Sequence, residues 1–130
     1  MESKYSDINK KRVLLTLKSV RETKRNLKDW NNKIQSTDDY YGSTEGMQLL
    51  AANCTLITAI GEEINRINHI MPGFLASNFP GIPWADIIGM RNRIAHGYFE
   101  LDAEIVLNAI KTDIPPLADT ICEAIRLCSE

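Results

Sequence analysis

Histidine occurs only twice in the 130 residues, at His69 and His96, and cysteine three times, at Cys54, Cys122 and Cys128, with no C-x-x-C among them. These shortages exclude several chemistries. A structural zinc site takes four closely spaced Cys and His ligands, and no such set can be written here. An odd, widely spaced group of cysteines makes no disulfide framework. Cys54, among Ala51, Ala52, Leu56 and Ile57, reads as a small buried hydrophobe. No cofactor is expected, and any catalysis is expected to be metal-independent. Apolar runs are short as well, and none approaches the roughly 20 residues that cross a bilayer. The opening Met-Glu-Ser-Lys-Tyr-Ser-Asp is polar and lacks the apolar stretch of a signal peptide. A cytoplasmic protein that does not engage a membrane is expected.

What remains suffices for one core. With 44% hydrophobic residues, a chain of this length fills one domain and not two, so residues 1–130 are read as a single domain. The net charge of −2 hides an asymmetry. Residues 1–35 carry ten Lys/Arg against four Asp/Glu, and the rest carry five against thirteen. The basic segment is either the solvated face of an amphipathic helix or a surface that attracts RNA.

The periodicity is helical throughout, with no strand signal and no internal repeat. From Asp7 to Ile34, Val13, Leu17, Val20, Leu27, Trp30 and Ile34 form an apolar stripe. Asp38–Glu45 is a polar connector in which Tyr40 and Tyr41 pack or stack on a base. Ser43 or Thr44 then caps a second helix to about His69, apolar through Leu50, Cys54, Ile57, Ile60, Ile64 and Ile67, which marks it as the central one. Pro72-Gly73 ends it, ahead of a loop with room for one short turn. Pro83 opens a third helix that Gly97 closes. Asp102 caps a fourth, which Pro115-Pro116 kinks before Ile121, Ala124, Ile125 and Leu127 resume the stripe. The fold class expected is all-α, an antiparallel four-helix bundle with a kinked last helix.

The third segment concentrates the chemistry. Pro83-Trp84-Ala85-Asp86-Ile87-Ile88-Gly89-Met90-Arg91-Asn92-Arg93-Ile94-Ala95-His96-Gly97-Tyr98 gathers an arginine, a histidine and a phenol within eight residues. Arginine grips phosphate through a rigid fork of donors, and histidine exchanges protons near neutral pH. A metal-free ribonuclease needs both. On residues alone the bland reading stands beside this one: both are common solvated residues on surface helices. Trp84 reads as an anchor for the helix, Arg93 as a surface or RNA-contacting cation, and Gly61 as a place for close helix packing.

Ile82–Tyr98 resembles the HEPN superfamily, and within it the HepT-like toxins, in which a Pro-Trp helix start runs into R-N-x-x-x-H-x-Y. Ile60-Gly61-Glu62 resembles the family's I-G-E one helix earlier, and Asp113-Ile114-Pro115-Pro116-Leu117 resembles its D-L-P-x-L in the last helix. The three blocks stand in the family's order. The doubled proline and the connector Asp38–Gly42 depart from the pattern.

The resemblance implies a HEPN-like homodimer that acts as an endoribonuclease toxin of a type VII-like toxin–antitoxin system. RNA is cut by attack of its own 2′-hydroxyl on the adjacent phosphate, with His96 as general acid or base and Arg91 on the charged phosphorane. Asn92 and Glu62 support them. Glu62 shares a stripe with Thr58, Asn65, Arg66 and His69, and it either orients Arg91 or faces solvent. The matching tyrosine of HepT-like toxins accepts AMP from a partner nucleotidyltransferase antitoxin of MntA type, which gives Tyr98 a regulatory role; as a structural residue it would pack over the helix end. Geometry adds an argument for two copies. On an ideal helix Arg91 and His96, five apart, diverge by roughly 140°, so one helix aims them poorly at one phosphate. The alternative reading is a non-catalytic HEPN binding module that partners a nucleotidyltransferase.

Overall fold

A computed structural model describes residues 4–94 and 102–130. All regular elements among the described residues are helical. None of their helices is long and apolar enough to cross a membrane.

Helix α1 spans Asp7–Trp30, and its first turn is capped by the Ser6 hydroxyl, which accepts from the Asn9 N–H at 3.1 Å. Val13, Leu17, Val20 and Leu27 face inward and are almost completely buried. The helix stops short of Ile34 because the Asn31 side chain donates to the Leu27 carbonyl at 2.8 Å, taking over an acceptor at the helix end. Asn31 also corrects the expected stripe. It occupies the inward position four residues after Leu27 at 1% exposure, and Trp30 is left 49% exposed.

The connector holds a short helix, α2 (Asp38–Tyr41), that drives Tyr40 fully into the core. Tyr41 stays outside. Asp39 accepts from the backbone N–H groups of Gln35 and Ser36, which hold its carboxyl below the usual range. Ser43, rather than Thr44, caps α3 (Thr44–Ile70), its hydroxyl accepting from the Gly46 N–H at 2.9 Å. Helix α3 is central: α1, α2 and the short helices that follow all pack against it. Leu50, Ile57, Ile60, Ile64 and Ile67 are buried as expected, whereas Cys54 is half-buried. Burial raises the Cys54 thiol pKa.

After α3 the chain turns through Gly73, whose φ of 82° suits a residue without a side chain, into α4 (Phe74–Asn78). The third helix expected from Pro83 onward is broken. Among the described residues it consists of α5 (Trp84–Ile88) and α6 (Met90–Ile94), parted at Gly89, a residue that favours helix poorly, and the expected close at Gly97 lies outside them. Trp84 is the anchor foreseen, 8% exposed and donating from its indole N–H to the Phe79 carbonyl at 3.0 Å.

Asp102 caps α7 (Ala103–Asn108) as expected, accepting from the Ile105 N–H at 3.1 Å. The kink before the prolines takes a definite form. Pro115 and Pro116 bring no N–H to the ladder. Ahead of them the helix widens into a π turn, Ala109–Asp113, in which the Ile114 N–H reaches Ala109 O at 2.8 Å. Regular helix resumes as α8 (Leu117–Ser129), which packs its Leu117, Ile121, Ala124 and Cys128 face against α1.

Candidate functional site

Helix α6 lies on α3 and α7, which bury Met90 and Ile94 and leave Arg91, Asn92 and Arg93 exposed on the outer face. Among the described residues, neither Arg91 nor Asn92 has a side-chain hydrogen bond or ion pair. An exposed guanidinium and amide without internal partners keep their donors for a ligand. His96 and Tyr98 lie outside the described residues. Both ends of the stretch that carries them are joined, because the Asp102 N–H donates to the Ile94 carbonyl at 2.9 Å. The residue that caps α7 is therefore held against the last residue of α6.

The base of this site is set from α3. Helix α5 comes very close to its backbone at Gly61: a Cβ there would stand 3.0 Å from Ile87 O and 3.2 Å from Ile88 O. Glycine is what permits that approach. Glu62, the next residue, is exposed, and it forms no ion pair with Arg91 among the described residues. The ion pair on this part of α3 joins Arg66 to Glu63 at 3.8 Å. His69 occupies the last turn of α3, where a cation interacts well with the helix dipole.

Beside α6 is a cavity of about 250 Å³ lined by Pro83, Asp86, Met90, Arg93, Thr112 and Asp113. It brings Arg93 and two carboxylates, Asp86 and Asp113, to one lining, a grouping that the reading of the sequence did not make. The signal was present in part, since Asp86 and Arg93 share one motif. Asp113 arrives only through the π turn, which no periodicity announced. Arg91 and Arg93 alternate on a short helix, so they serve different surfaces. Among the described residues no three His, Cys, Asp or Glu side chains gather as metal ligands.

A family model described as HepT-like, Ribonuclease HepT-like, matches residues 24–124. That range includes Glu62, Arg91, Asn92, His96 and Tyr98. The chain is 28% identical over 93 residues to the protein named Putative RNase MJ1380 of Methanocaldococcus jannaschii, covering 70% of this chain and 82% of that one. It is 32% identical over 56 residues to Probable ribonuclease HepT of Thermococcus cleftensis, covering 43% of this chain and 51% of the relative. A second Methanocaldococcus jannaschii protein, Putative RNase MJ0125, is 31% identical over 61 residues, covering 47% and 49% respectively. The chain thus spans most of the first relative and about half of the other two. No solved structure matches it.

Proposed function

The chain belongs to the HepT-like ribonuclease family, and from that premise we propose that it is an endoribonuclease toxin that cuts RNA without a metal at Arg91 and His96. The observation that carries the reading is the family match over 24–124, combined with the exposed, unpartnered Arg91 and Asn92 at the head of the R-N-x-x-x-H-x-Y motif. All three relatives bear ribonuclease names, which supports RNA as the substrate class.

The chemistry follows from the residue types. The ribose 2′-oxygen attacks the adjacent phosphorus while His96 accepts its proton or protonates the departing 5′-oxygen. The products are a 2′,3′-cyclic phosphate and a 5′-hydroxyl end. Arg91 balances the charge that grows on the phosphorane, and a guanidinium keeps its charge at any working pH. Asn92 holds a phosphate oxygen through its amide. The nucleophile belongs to the substrate, so DNA is not cut. Single-stranded or looped RNA is preferred because a duplex keeps the hydroxyl out of line.

The working form is a homodimeric antiparallel bundle with the motifs of both copies facing one cleft. Tyr98 is the off-switch: a nucleotidyltransferase antitoxin transfers AMP from ATP to its phenol oxygen and releases pyrophosphate. The added anion and bulk then occupy a cleft that binds phosphate.

One experiment tests the reading. Purified protein and its Arg91→Ala, His96→Ala and Tyr98→Phe variants are incubated with single-stranded RNA, with and without EDTA. The first two variants are expected to lose at least ~10²-fold in cleavage rate while their helicity is unchanged. Tyr98→Phe is expected to cut RNA and to gain no AMP mass after treatment with antitoxin and ATP. Full cleavage by His96→Ala, or loss of cleavage in EDTA, removes the mechanism, and absence of cleavage by the unmodified protein leaves the non-catalytic binding module. AMP added undiminished to Tyr98→Phe removes the switch.

A further inference from the structure

A second cavity, of about 420 Å³, lies between the C-terminal half of α1 and the π turn. Its floor is apolar, made by the buried side chains of Leu27, Ile110 and Ile114. Three cations line it: Lys24 and Lys28 from α1 and Lys111 from the π turn. Lys24 and Lys28 stand one helical turn apart, about 6 Å along the axis. None of the three lysines forms an ion pair with a described carboxylate. Three neighbouring like charges with no ion-paired carboxylate among the described residues repel one another, and a bound polyanion relieves that repulsion.

The cavity is built by two features that periodicity does not explain. The Asn31 side chain ends α1 beside it, and the Asn31 carbonyl receives the Lys111 ammonium at 3.5 Å. The π turn places Ile110 and Lys111 on this side of the last helical segment and Thr112 and Asp113 on the cavity around Arg93. Turns of this kind are rare inside helices and frequently mark functional positions.

The geometry points to this groove as a subsite for one unstacked nucleotide of a single-stranded RNA, with the base against Leu27, Ile110 and Ile114 and the neighbouring phosphates on Lys24, Lys28 and Lys111. The inference rests on the ribonuclease reading and adds a contact that motif does not contain. Size favours a nucleotide over an acidic protein helix. Ligand pockets begin at about 300 Å³, whereas a docked helix needs a trough that takes anchors from two turns or more. The lining has no aromatic ring, so the base meets an aliphatic surface and base identity is weakly read. Arg93 lines a different cavity together with Asp86 and Asp113, and no described residue of the R-N-x-x-x-H-x-Y motif lines the lysine groove, which makes that groove a separate point of grip.

The test measures binding of a fluorescein-labelled oligouridylate of about 12 nucleotides, within the usual span of single-strand sites. The protein carries His96→Ala so that the probe is not cut, with or without Lys24→Gln, Lys28→Gln and Lys111→Gln together. The triple substitution is expected to weaken binding at least tenfold. It should also reduce the slope of log affinity against log salt by about 2, the value for three phosphates on a single strand. The corresponding triple Lys→Arg protein is expected to bind normally, which separates lost charge from lost folding. Unchanged affinity and slope in the Gln protein overturn the subsite. Oligoglutamate bound as tightly as RNA through the same lysines also overturns it and assigns the groove to an acidic protein segment. Cleavage by the natural chain is followed in parallel. Lysine-dependent binding without cleavage keeps the subsite and removes the ribonuclease reading; cleavage without lysine dependence does the reverse. Absence of any RNA binding removes both.

Discussion

At the scale of single residues, the polar side chains that matter most to stability are buried. Asn31 and Asn53 exchange two amide hydrogen bonds at 2.8 Å, and the Tyr40 hydroxyl donates to Asn31 Oδ1 at 2.8 Å while accepting from Asn53 at 3.1 Å. All three residues are 1% exposed or less, and every buried side-chain donor and acceptor among the described residues has a partner. The cluster ties the end of α1 and all of α2 to the middle of α3. Asn53→Ala removes three of these buried bonds and leaves Asn31 only its contacts with Leu27 O and the Tyr40 hydroxyl, so a loss of about 1–3 kcal/mol is expected in urea unfolding. Tyr40→Phe removes one hydroxyl and keeps the ring, so it costs less. The phenol also sets a pH dependence. Burial pushes the Tyr40 pKa up to about 12, against the lowering effect of its bond with Asn53. A folded-state pKa above the unfolded value of about 10 means stability that is complete below pH 10 and lost as pH rises toward 12. Tyr40→Phe should flatten that part of the stability–pH profile, and an identical alkaline decline in both proteins would refute the assignment.

At the scale of helices, two glycines decide how elements meet. A Cβ on Gly46 would stand 2.5 Å from both Asp39 O and Tyr40 O, and one on Gly61 would stand 3.0 Å from Ile87 O. Gly46→Ala therefore forces α2 off α3 against backbone atoms that cannot turn aside. A net loss of about 1–3 kcal/mol is expected although alanine favours helix. Gly61→Ala needs only a few tenths of an ångström from α5, and the helix gain offsets much of that cost. Its effect should appear in function, because α5 carries α6 with Arg91: RNA cleavage is expected to fall several-fold in a protein whose melting temperature is nearly unchanged. Full activity in that variant would mean that Arg91 is not positioned from α3. The sequence made the long helices legible because α1, α3 and α8 each bury one continuous face. It made Gly61 legible as a packing site and Asp102 as a cap. It did not make the end of α1, the break at Gly89 or the π turn legible, since each depends on a tertiary contact or a missing donor. Asn31 and Trp30 show the cost of reading periodicity alone: the polar residue is inside and the indole half outside. Of the candidate site residues, Arg91 and Asn92 lie exposed on α6, whereas the grouping of Lys111 with Lys24 and Lys28 was not legible, because they meet only through the fold.

At the scale of the whole molecule, the argument turns on how many chains make one site. Arg91 is exposed on α6 and forms no ion pair among the described residues. Continued as an ideal helix, the motif would aim His96 roughly 140° away from it. The proposed two-fold axis would resolve the divergence, because it would bring the same patch of a second copy opposite the first and pair Arg91 of each with His96 of the other. Subunit mixing tests this directly. Arg91→Ala and His96→Ala proteins, each expected to be inactive alone, are unfolded together in equal amounts and refolded. Random pairing makes half of the dimers mixed, and each mixed dimer holds one site with both groups intact and one with neither. The mixture should therefore recover about a quarter of the natural activity, the proportion fixed by closed two-fold pairing. Mixed dimers isolated by two different affinity tags should show about half. A site contained within one chain predicts no recovery at either step, since every chain then lacks one of its two groups. Mixed dimers that are verified by mass and remain inactive would thus assign Arg91 and His96 to the same subunit, with the stretch between Ile94 and Asp102 bringing them together.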